Sequence, residues 1–315
     1  MPLRRISSIR FLETLRQCAR SISLLFLAIA VSMPTFTPPA SAQTASVEDE
    51  SNTLPFELRP LRNWLRSHAE RQDEVEEVIQ TDRPSFTAAH TLVPKGWAQV
   101  EAGYQYSHNR KNDRLQNSNA APQLNLRLGL TDWLEFRNLW AGFESQHFRD
   151  VNTGASGMLT TSSNFQTGFK IRATQENGWI PQSALITTVF LPTGYGVSVN
   201  DQVSPMIDYV YCWTLTEKLT FTGSTGAVFA GRNGRGHDEH YQSLVFGQEW
   251  SDTWSSFFEW YITEETSIHR QSVGENVDTG ILWRPRSNLQ FDWRIGTAIN
   301  GSDSFFTGVG LSGRY

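Results

Sequence analysis

The chain is poor in cysteine: its 315 residues hold two, Cys18 and Cys212. Neither a disulfide framework nor a cysteine-based zinc cluster can be built from so few thiols. Positive charge is not in excess either, since 27 Lys and Arg stand against 32 Asp and Glu, a formal net charge of -5. There is no basic stripe to track a phosphate backbone, so nucleic acid is not an expected partner. Long apolar runs are missing after residue 42. A membrane-spanning helix needs about 18 or more apolar residues in succession, so that stretch is not a helical membrane protein.

Aromatic residues are plentiful, at 12% of the chain with 11 Trp, although mean hydropathy is negative. A transmembrane β-barrel reconciles the two, because only alternate residues of each strand face lipid. The first 42 residues read as an export signal. Arg4, Arg5, Arg10, Arg16 and Arg20 form a basic region, Ile22 to Met33 a short apolar core, and Ala40-Ser41-Ala42 a small-x-small cleavage site. Cleavage there leaves Cys212 as the one cysteine. Residues 43–96 form an N-terminal segment, polar at first and acidic at Asp73 to Glu77, expected to be periplasmic or plug-like.

From Trp97 onward the hydrophobic period is two. Leu124, Leu126 and Leu128 alternate with Asn125 and Arg127, and Phe165, Phe169 and Ile171 alternate with Gln166, Lys170 and Arg172. That period belongs to strands and defeats a helix. Short turns such as Leu130-Thr131-Asp132-Trp133 and Trp250-Ser251-Asp252-Thr253 lie between segments. Longer connections are expected near 107–121, 146–163, 192–201, 231–239, 266–275 and 300–304. Trp97, Trp133, Trp213, Trp250, Trp254 and Trp283 border the short side, as an interfacial aromatic girdle does. The expected fold is all-β: a closed antiparallel transmembrane barrel of about twelve strands over residues 97–315, embedded in outer-membrane lipid. The terminal Tyr315 fits a last strand read by the barrel-insertion machinery.

Parity then sorts the side chains. Leu124, Leu126, Phe169, Ile207, Tyr209, Phe221, Trp260, Ile281, Phe291 and Val309 are expected outward. Glu101, Arg127, Glu135, Arg137, Lys170, Arg172, Asp208, Glu259, Asp278, Asp292 and Arg294 are expected in the lumen. There they form either a charged constriction for small solutes or a network of paired charges that fills a narrow barrel. Gly103, Gly129 and Gly168 are placed to widen the lumen locally.

Thr81-Asp82-Arg83-Pro84-Ser85-Phe86-Thr87, Val93-Pro94-Lys95-Gly96 and the closing Gly308-Val309-Gly310-Leu311-Ser312 resemble the MetA-pathway phenol-degradation family of outer-membrane proteins. The similarity runs over roughly residues 79 to 315. It implies a Gram-negative outer-membrane location and passage of small solutes, aromatic ones among the candidates, and it brings no catalytic residues. Within the motif, Asp82 and Arg83 are candidates for a plug that folds back into the lumen, with Arg83 meeting acidic wall residues. A periplasmic lead-in is the alternative.

Two other classes remain. A lipid hydrolase needs a Ser nucleophile beside a His, for which His240 with Ser243, or His269 with Ser267 or Ser272, are the nearest material. A structural or adhesive barrel would act through its loops. His108, His147, His237, His240 and His269 are expected in those loops, without a diagnostic metal spacing. No cofactor and no metal are expected.

Overall fold

The computed structural model describes residues 77–315 apart from 112, 197–198, 200, 233–234, 268–269 and 300–302. The expected signal peptide, most of the N-terminal segment and His269 therefore lie outside the described residues.

Fourteen β-elements follow one another: β1 (Ala98–Lys111), β2 (Arg114–Gly129), β3 (Leu134–Trp140), β4 (Phe143–Asp150), β5 (Ser156–Ser162), β6 (Phe165–Thr174), β7 (Gln182–Phe190), β8 (Ser204–Thr216), β9 (Leu219–Arg232), β10 (Arg235–Glu249), β11 (Trp254–Ser267), β12 (Arg270–Arg286), β13 (Leu289–Ala298) and β14 (Asp303–Arg314). Pairing is antiparallel throughout, and β1 bonds both β2 and β14, which closes the sheet. β3 and β4 both lie along β2, and β5 continues β6 on their far side. Each of these two pairs is one wall strand interrupted by two residues, so the ring has twelve strands. Between β3 and β4 the interruption falls at Gly142, whose φ of 83° suits glycine, and between β5 and β6 at Ser163 and Asn164.

The surface is reversed relative to a soluble protein. Arg127, Lys170, Glu101, Glu135 and Glu259 are among the largest fully buried side chains. Leu124, Leu126, Phe169, Ile207, Tyr209, Ile281, Phe291 and Val309 are exposed, and Phe221 and Trp260 are half-buried on the same outward parity. An Arg on the lipid face at mid-membrane costs about 2–4 kcal/mol, which the alternation avoids.

The short turns lie where the sequence places them. Leu130 and Trp250 donate across theirs to Leu134 and Trp254. Near this rim Trp254 stacks on Trp283, and Trp283 on Phe291, with centroids 5.8 and 5.3 Å apart. Trp97 departs from the girdle: it is buried, with the Arg314 guanidinium 5.7 Å from its ring centre.

The opposite rim differs more. Most of 107–121, 146–163, 231–239 and 266–275, expected as loops, continues as paired strand. Beyond the lipid the hydrogen-bonded ladder persists while outward positions no longer need to be apolar. Arg110, Asn117, His147 and Arg149 occupy them, so the period-two signal fades before the strand ends. Residues 191–203, between β7 and β8, are the one long connection that keeps little strand among the described residues.

Candidate lumen site

Residues 79–96 lie against the inward side chains of the barrel. The segment starts at the short-turn rim, where Ile79 N–H donates to Ser287 O at 2.7 Å, and ends there, where Gly96 N–H donates to Gly129 O at 2.7 Å. Strand parity dictates its partners. Glu101 on β1, Arg127 on β2, Glu135 and Arg137 on β3 and Lys170 on β6 all have inward parity, and register sets them side by side: Glu135 faces both Gly129 and Lys170, and Arg127 faces Arg137.

Two arginines facing each other need carboxylates, and Asp82 is one of them. It is ion-paired to Arg127 at 3.4 Å, to Lys170 at 3.1 Å and to Arg137 more closely still. Arg127 also meets Glu101 at 3.2 Å and Glu135 at 2.8 Å. Three carboxylates and three cations make a cluster with no net charge. Burial by itself would raise the Asp82 carboxyl. The charges of Arg127, then Arg137 and Lys170, outweigh it and hold the group well below the usual carboxylate range. The segment's backbone joins in, since Asp82 N–H donates to Glu101 at 3.1 Å and Val93 N–H to Glu135 at 2.7 Å. Lys170 donates to Ala89 O at 2.8 Å. Nearby, burial, with the Lys170 charge second, pushes the His90 imidazole down to about 4, against a pull from Glu176.

Arg83 is held separately. It donates to Gln123 at 2.8 Å and to Val309 O at 3.1 Å, and pairs with Asp292 at 3.5 Å. Its guanidinium fills the room left by Gly103 and Gly310, which face each other across the β1–β14 seam. Gly103 thus seats a side chain and does not widen the lumen. Gly129 likewise admits the Pro94 carbonyl, and Gly168 the backbone of Thr187. A third anchor is Glu259, which accepts from Phe86 N–H at 2.6 Å and from Thr87 N–H at 2.8 Å.

The remaining candidates stand apart from the Asp82 cluster. Asp278 pairs with Arg294 at 3.5 Å. Asp208 accepts from Ser224 and Tyr241. Arg172 is half-buried opposite Ala184. The sequence reading missed the uncharged polar residues that bind the segment: Gln99, Gln123, Asn125, Ser243 and Gln290. They share the inward parity of the charges, which is the signal that would have found them.

His240 and Ser243 are three residues apart on β10, so they point to opposite faces, and Ser243 is buried against Thr87 and Ser224. They are not a nucleophile and its base. His108 and His147 lie on strands β1 and β4 and not in loops.

A family profile described as "Putative MetA-pathway of phenol degradation" matches residues 81–315. An outer membrane channel from Pseudomonas putida F1 is similar in structure, with a TM-score of 0.56 at 14% identity over 74% of this chain and 100% of that one. The translocator domain of autotransporter NalP from Neisseria meningitidis gives 0.47 at 11% identity over 81% and 98%, and the NanC porin 0.44 at 7% over 69% and 98%. No curated protein sequence matches the chain. At 14% identity the likeness to the Pseudomonas channel speaks to the fold alone.

Proposed function

The chain belongs to this phenol-degradation family, and on that premise we propose that it is a passive channel of the Gram-negative outer membrane for small solutes, aromatic ones among them. The observation that carries the reading is the docking of residues 79–96 to inward side chains by ion pairs and hydrogen bonds, outside the strand ladder. A segment held by side-chain contacts can leave the lumen without opening the wall, which gives a channel a means of changing its width. Asp82 and Arg83 serve as its plug contacts. The inward charges that the segment leaves unneutralised, Arg172 and Asp208 foremost, are left to bias passage by sign. Lipid covers the outward apolar face, and the last strand, ending at Tyr315, is the part offered to the insertion machinery.

Planar-bilayer recording tests this. Full-length protein should give small single-channel steps, and deletion of residues 43–90 should enlarge them. Absence of conductance in both forms, together with no solute uptake into liposomes, would sink the channel reading.

A further inference from the structure

We infer that Phe86 occupies a binding site for planar aromatic solutes that carry a hydrogen-bond donor, and that such a solute displaces it. The inference rests on the channel reading above and gives that channel a solute class and a point of contact.

Phe86 lies on the plug segment, yet its ring is gripped by the barrel wall. It stacks on Tyr261 with centroids 4.4 Å apart and planes 1° apart, and meets Tyr241 edge-on at 5.4 Å and 88°. Stacked and edge-to-face are the arrangements that the aromatic quadrupole favours. The two tyrosines come from neighbouring strands and share the inward parity. Tyr241 lies flat because its partner across the ladder is Gly226, where any Cβ would collide with the ring. The wall therefore offers a two-sided aromatic clamp, and the ring inside it belongs to a segment that is not part of the wall.

Phe86 is less enclosed than the ends of the segment. Ile79 is 0% exposed and Val93 2%, whereas Phe86 is 36% exposed. The ends are sealed and the ring between them is half open, so a second ring can take the clamp by lifting residues 86 and 87 off the wall while both ends stay docked.

The backbone beside Phe86 adds the polar requirement. Glu259 accepts from Phe86 N–H, Thr87 N–H and the Thr87 hydroxyl, at 2.6, 2.8 and 2.6 Å. It faces Asp278 directly across the β11–β12 ladder. When Phe86 leaves, this carboxylate loses donors next to another acid, and a buried acceptor left without donors is costly. An incoming solute must bring a donor as well as a ring. A phenolic hydroxyl does both. An aliphatic alcohol lacks the aromatic face, and an arene without a hydroxyl lacks the donor.

Fluorine NMR on full-length protein with 4-fluorophenylalanine at position 86, titrated with phenol, toluene and cyclohexanol, tests the inference. Phenol should move the signal saturably towards that of a solvent-exposed ring. Toluene should need about tenfold more, and cyclohexanol should not move it. In unlabelled protein, Phe86→Ala should bind phenol about tenfold tighter, because the internal competitor is gone, and Tyr261→Leu about tenfold weaker. Cyclohexanol acting like phenol, or weaker phenol binding by Phe86→Ala with its barrel intact by heat-modifiable migration on gels, overturns the inference. Conductance without phenol binding sinks the site and leaves the channel. Phenol binding without any conductance leaves the site and sinks the channel.

Discussion

Two sides of the lumen are built from different material. On β1, β2, β3 and β6 the inward row is Glu101, Arg127, Glu135, Arg137 and Lys170, all buried and all engaged with the N-terminal segment or with one another. On β7, β8 and β9 the inward row is less charged: Ala184, Ile186, Val210, Cys212, Val228 and Ala230 are buried there beside Thr188, Ser204, Ser224 and Asp208. The contrast teaches what the charges are for. Charges that cancel within a cluster give a passing ion little net field, so the charged side is a dock, and the other side is where a solute meets a wall of apolar and small polar residues with the Asp208 carboxylate among them.

The largest test of that division is Asp82→Ala. It removes the carboxylate shared by Arg127, Arg137 and Lys170 and leaves three cations with two acids. Breaking a buried ion cluster in this way costs about 3–5 kcal/mol. The segment should undock, and single-channel conductance should rise severalfold in bilayer recordings. Ile186→Ala on the other side should leave conductance near that of the native protein. Equal responses from the two would erase the distinction between the sides.

Next in size is a charge added one residue from Arg127 on the docking side. Leu126→Arg puts a guanidinium on the lipid face beside Arg127, which faces the lumen. About 2–4 kcal/mol of stability should be lost in urea unfolding from lipid vesicles, with the segment still docked as judged by unchanged conductance.

Glu259→Gln should act more locally. The amide oxygen still accepts from Phe86 and Thr87 but without charge, a loss of about 1 kcal/mol per bond. Limited proteolysis should then cut faster within residues 83–88, while the Asp82 cluster stays closed.

The smallest effect expected is that of pH. The docked His90 is neutral down to about 4, against 6.5 when free. Its contribution is complete above 6.5, falls as pH drops from 6.5 to 4, and changes little below that. Asp82 stays ionised over this window because its carboxyl is held low. Conductance should therefore rise gradually on acidification from pH 7.5 to 4.5, and His90→Asn should flatten the profile.

The same contrast explains what the sequence revealed. Where inward residues are charged, as at Arg127 between Leu126 and Leu128, alternation marks both faces and the strand is plain. Where they are apolar, as at Ala184 and Ile186 beside Leu185, both faces look alike and β7 is hard to place. β10 is obscure for the opposite reason, because Gln242 lies on the outward parity, where Thr225 and Tyr211 satisfy it. The inward charges were legible from parity alone. Their division into a cluster around Asp82, an Arg83 seat and a Glu259 anchor was not, since that depends on where an irregular segment of low periodicity touches the wall. Phe86 gave no sign of its role, because a single aromatic residue in a loop carries no period.

The seating of Arg83 also bears on the order of assembly. Its slot is formed by Gly103 and Gly310, one from each of the two strands that meet when the barrel closes, and Val309 O completes it. Before those edges meet, the slot does not exist. Closure must therefore precede the seating of Arg83, whereas the Asp82 cluster, carried by β1, β2, β3 and β6, needs no contact between β1 and β14. Pulsed protease during refolding should find the chain at Arg83 cleavable until β1 and β14 have paired. Protection at Arg83 before that pairing would reverse this order.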